Sequence, residues 1–207
     1  MKFLLILPLM VMIILFNAGC SMLVDNNETK QTSVVESQDK KNEMAKVDNH
    51  LIAAKQALSA GDYAKAIEEA TASIKNNPNN AEAYSVRGFA TALHGDTAKG
   101  LADTKKAYEL DPNNVANYYN MAMVYKLQGQ LNDSKQWFEK VLEKDPSNTW
   151  SVYGIATIYA DQGDDTKALD WLEMAINIDP SVKAVAAEQD HFERFHNNAR
   201  FKTLVGL

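Results

Sequence analysis

The stretch IKNNPNNAEAY, residues 74–84, decides the fold. An apolar, helix-like run halts at Asn-Asn-Pro-Asn-Asn, and a second run begins directly after it. The same device returns as LDPNNVANYY at 110–119, KDPSNTWSVY at 144–153 and IDPSVKAV at 178–185. Pro78, Pro112, Pro146 and Pro180 are therefore spaced 34 residues apart each time. A fixed period of that size means one structural unit copied in tandem.

With each proline at position 32, the units begin at Val47, Ala81, Val115 and Thr149. Position 15 is then Gly61, Gly95, Gly129 and Gly163, midway between two apolar runs. Glycine there suits a tight connection between antiparallel helices, because it tolerates positive φ. Position 8 (Ala54, Gly88, Ala122, Ala156) and position 20 (Ala66, Gly100, Ser134, Ala168) hold only small residues. Small side chains in that register predict two helices that cross closely. Positions 4, 7, 8 and 11 form the i, i+3, i+4, i+7 face of an amphipathic helix. Proline at 32 ends the second helix, and the Asn or Ser beyond it is suited to cap the next one.

Small residues at 8, 20 and 27, aromatics near 4, 11 and 24, and proline at 32 resemble the tetratricopeptide repeat. The resemblance covers about Val47 to Pro180 and implies an all-α solenoid of four helix-turn-helix repeats, 47–80, 81–114, 115–148 and 149–182. The first unit is the weakest, with His50, Ala53 and Ala57 where larger residues are common. Arg87 departs at position 7. Residues 181–207 supply Phe192, Phe195, Phe201 and Leu204 as apolar points and resemble the helices that cap such arrays. His191 and His196 lie there without the spacing of a metal site, so they are expected to be surface or cap residues.

The rest of the chain points to export. The opening MKFLLILPLMVMIILFNAGC has Lys2, then an unbroken apolar run from Phe3 to Phe16. That run is short of a ~30 Å hydrocarbon core and carries Pro8, so residues 1–19 are expected to be a signal peptide. Ala18-Gly19-Cys20 resembles the bacterial lipobox, departing from it at Asn17. The resemblance implies lipidation at Cys20, and Ser21 implies retention at an outer membrane where two membranes exist. Residues 20–46 are polar and mixed in charge, and are expected to act as a flexible tether spanning roughly 25–30 Å.

Formal net charge is −6 over 207 residues, with no basic block. Nucleic acid is therefore an improbable partner. The single cysteine allows no intrachain disulfide. There is no nucleophile elbow, phosphate-binding glycine loop or HExxH pattern, so the reading is of a non-enzymatic protein with no cofactor.

By the resemblance, positions 2, 5, 6, 9, 12 and 13 of each first helix line a concave groove. The candidates for partner binding are Leu51, Lys55, Phe89, Tyr119, Asn120, Met123, Lys126, Trp150, Tyr153 and Thr157. Tyr119 and Met123 are i, i+4 neighbours and form one patch. The alternative for these side chains is packing against adjacent repeats. The carboxylate clamp of heat-shock co-chaperone repeats is not reproduced at its positions; only Asn120 matches. The expected function is a lipid-anchored scaffold of the bacterial cell envelope that captures a protein or peptide. The competing reading, a small-ligand or lipid-binding transport component, would need an enclosed pocket.

Overall fold

The computed structural model describes residues 48–207, so the expected signal peptide, Cys20 and the expected tether lie outside the described residues. Four helix pairs follow one another: α1 (Asn49–Ser59) with α2 (Tyr63–Asn76), α3 (Ala81–Leu93) with α4 (Thr97–Leu110), α5 (Val115–Leu127) with α6 (Leu131–Lys144), and α7 (Thr149–Gln162) with α8 (Asp165–Ile178). A short α9 (Val182–Glu188), a 3₁₀ turn (Asp190–Phe195) and α10 (Ala199–Val205) complete the chain.

Local chemistry sets each boundary. Gly61, Gly95, Gly129 and Gly163 all take positive φ, between 73° and 110°. The residue before each repeat proline is extended: Asn77, Asp111, Asp145 and Asp179 have φ between −135° and −141°. Proline's ring clashes with a helical predecessor, so the second helix of each pair stops there. Asn80, Asn114 and Asn148 then accept backbone N–H bonds from the first turn of the next helix. The capping residue is Asn; Ser147 bonds Asp145 instead, and Ser181 makes no side-chain cap bond.

Within a repeat the two helices meet at the small positions. A Cβ added to Gly88 would lie 2.7 Å from the Gly100 carbonyl oxygen, and one added to Gly100 would lie 2.6 Å from that of Gly88. The third repeat uses the same closeness differently, with the Ser134 hydroxyl donating to the Ala122 carbonyl at 2.8 Å. Arg87 is accommodated by a two-point pair with Asp103, at 2.7 and 2.8 Å, that joins α3 to α4. Removing either partner would strand the other charge at a partly buried site.

Successive first helices pack on one another from α1 to α3 to α5, whereas the backbones of successive second helices stand apart. The first helices therefore form the inner layer of the solenoid. The backbone spacing between inner helices widens at one place: α7 packs on α6 and α8 and reaches α5 through side chains alone. Phe138 fills that joint from α6, fully buried against Ala122, Ile155 and Ile158. At the far end Phe192, Phe195 and Phe201 join the core of the fourth repeat, with Phe192 and Phe201 stacked at 5.7 Å. The cap is thus part of the last hydrophobic core. The 3₁₀ turn crosses to the inner side and packs on α7.

Candidate functional site

The inner surface divides into interior residues and reachable ones. Phe89, 8% exposed, packs against Ala92 and Val124 beneath α5. Tyr153, 7% exposed, sits between Trp150 and Phe192, and Thr157 is only 1% exposed. These three belong to the interior rather than to an open groove. Phe89 is covered because neighbouring inner helices are close there, and Tyr153 because the C-terminal turn folds over α7.

Leu51, Lys55, Tyr119, Asn120, Met123, Lys126 and Trp150 remain half-buried. Lys55 pairs with Glu82 across α1 and α3. On α5, Tyr119 sets its ring edge-to-face on Phe138 at 5.6 Å, and Asn120 donates to the Ser85 hydroxyl at 2.8 Å. Met123 contacts both the core of the second-to-third joint and that of the third-to-fourth joint. Burial holds the Tyr119 phenol well above its ordinary range, so it acts as a neutral hydrogen-bonding group.

Lys126 is the polar centre of this region. Its ammonium donates to Thr157 Oγ1 at 2.5 Å and to His191 Nε2 at 3.2 Å. His191 Nδ1 donates in turn to Asp161 at 2.6 Å. That chain of bonds fixes the imidazole as the Nδ1–H tautomer when it is neutral. It also staples α5, α7 and the 3₁₀ turn together. Desolvation lowers Lys126 to about 8, with Asp161 opposing the shift. Thr157 gives its own proton to the Gly154 carbonyl at 2.8 Å and lies beneath the surface. A Thr, Lys, His and Asp linked in this way resemble an activated nucleophile, yet this hydroxyl has no open face for a substrate. His191 thus has a specific polar role that residue spacing could not show; its partners come from helices 30 and 65 residues away.

Among the described residues no group of three His, Cys, Asp or Glu side chains is placed to hold a metal ion. No described helix is long and apolar enough to cross a membrane. Family models described as tetratricopeptide repeat match residues 53–115, 104–136 and 128–188, which together span the helix pairs. The chain belongs to the tetratricopeptide repeat family.

Solved tetratricopeptide repeat structures share the architecture. A thermophilic TPR protein in Thermus thermophilus is 18% identical, with a TM-score of 0.64 over 75% of this chain and 86% of that one. MamA from Desulfovibrio magneticus is 20% identical, with a TM-score of 0.56 over 74% of this chain and 85% of that one. YrrB, described as a TPR protein with an unusual peptide-binding site, is 14% identical, with a TM-score of 0.53 over 84% and 87%. At these identities the likeness is one of fold. No curated protein matches the sequence.

Proposed function

We propose that this repeat protein is an interaction scaffold that captures a polypeptide on its inner face, held at an envelope membrane by lipid on Cys20. The observation that carries the binding reading is the half-buried row Tyr119, Met123 and Lys126 on α5, where the α7 backbone stands off from that of α5. Tyr and Met offer large, adaptable contact area, and Lys126 and Asn120 add polar fixing points. Repeats that bind this way use side-chain recognition and no chemistry of their own. The anchoring reading is carried by the sequence alone, through the short apolar segment that ends at Cys20.

The double variant Tyr119→Ala with Met123→Ala tests the groove. Both residues are half-buried rather than core, so helicity by circular dichroism should be retained while partner capture from an envelope extract falls at least tenfold. Lost helicity, or capture that persists unchanged, contradicts the assignment. For the anchor, Cys20→Ser should remove the lipid mass increment and shift the protein out of the membrane fraction; an unchanged mass and fraction would refute lipidation.

A further inference from the structure

We propose that Lys126 is the anchoring point for a single carboxylate carried by an otherwise apolar polypeptide segment, a proposal that rests on the groove being the partner-binding surface. Three observations carry it. First, an ammonium group has three donors, and the structure employs two, toward Thr157 and His191. Second, among the described residues neither of those partners is an anion, and the Asp161 carboxylate is bonded to the far nitrogen of the His191 ring. Third, α5 carries no other charged side chain, so Lys126 is the one formal charge on the helix that presents Tyr119, Asn120 and Met123, in a protein of net charge −6.

A partly desolvated cation without a contacting anion is a costly arrangement, and an incoming carboxylate offsets that cost. The acidic surroundings argue against a polyacidic tract, which the whole surface would repel. Apolar residues flanking one acid fit both the Tyr119–Met123 patch and the single cation. Lys126 lies at position 12 of its repeat, which is not a position of the co-chaperone carboxylate clamp. Seven residues along α5 separate Tyr119 from Lys126, about 10 Å. An extended segment covers that distance in about three residues, so a bulky apolar side chain on Tyr119 sets the acid about three positions along.

A displayed library of random peptides, panned on the full chain and on Lys126→Met and Lys126→Arg, tests this. The wild type and Lys126→Arg should enrich peptides with Asp or Glu about three positions from a bulky apolar residue, and Lys126→Met should not. Changing that Glu to Gln in an enriched peptide should weaken wild-type binding about tenfold and leave Lys126→Met binding within about twofold. Calorimetry in buffers of different ionisation enthalpy gives a second readout. A carboxylate restores the proton to Lys126, so wild-type binding at pH 8 should take up about half a proton, and binding at pH 6 almost none. Lys126→Arg should show no such uptake. The other groups facing this lysine are Asp161 on α7 and His191 in the turn, flanked by exposed Asp190 and Glu193; Arg194 is engaged by Asp165. Uptake that persists in Lys126→Arg therefore assigns the proton to them and overturns the proposal. Peptides enriched without an acid, or with the same acid preference on Lys126→Met, overturn it and leave the groove standing. No enrichment on any of the three proteins overturns the groove reading and this proposal together.

Discussion

Gly88 and Gly100 show how one residue can reverse a general rule. Alanine in a helix interior is ordinarily about 1 kcal/mol better than glycine. Here a Cβ on Gly88 meets the Gly100 carbonyl at 2.7 Å and the Thr104 backbone nitrogen at 2.9 Å, so the two helices must part. Gly88→Ala is expected to destabilise the protein by about 1–3 kcal/mol, read as a lowered denaturant midpoint. Lys126 makes the opposite case. Its value in the folded protein, about 8, lies below the ordinary lysine value of 10.5, so the unfolded chain binds more protons between those two pH values. Stability should therefore rise as pH increases from 8 to 10.5, and the charged form is a burden below that window. Lys126→Met is expected to abolish that rise, as scanning calorimetry at several pH values would show.

At the scale of the helix, capping repeats as faithfully as proline. Asp62, Asp96 and Asp164 each accept a backbone N–H from the first turn of their repeat's second helix. Gln130 occupies the same place with the same backbone, φ −83°, and makes no cap bond. Gln130→Asn should stabilise the protein by about 0.5–1 kcal/mol in chemical denaturation. Asn is preferable to Asp there because Asp133 stands where the other repeats carry Lys65, Lys99 and Lys167. Hydrogen bonds from Lys99 and Lys167, followed by backbone bonds, hold Asp96 and Asp164 below their ordinary 3.8. Their contribution is complete above that value and is lost as pH falls through the lower folded values, so thermal stability should drop below about pH 4. The proline, glycine and small-residue positions were all legible as chemistry, because each imposes a local backbone or contact requirement. Which groove positions stay open was not. Tyr119 and Tyr153 occupy the same position in consecutive repeats, yet Tyr153 is covered by a turn that follows no period. Phe89 is lost to the interior for a related reason: the spacing between inner helices varies along the solenoid, and residue spacing carries no record of it.

Across the whole molecule, each repeat buries its apolar face only against its neighbours, so the ends need closure. The C-terminal cap supplies it with three phenylalanines that are at most 1% exposed. Phe201→Ala should cost about 3–5 kcal/mol and should loosen α7 and α8 before the first repeats, visible as hydrogen exchange that accelerates from the C-terminal end. The same cap covers Tyr153, so the proposed binding surface ends before the fourth repeat and centres on α5. Photo-crosslinking in intact cells tests that claim most directly, with the reactive residue at Tyr119, a second at the covered Tyr153, and a control at Thr32. The account predicts a discrete protein adduct from position 119 and none from 153 or 32. A small-molecule or lipid adduct at 119, or a protein adduct that forms equally from 153, would contradict it.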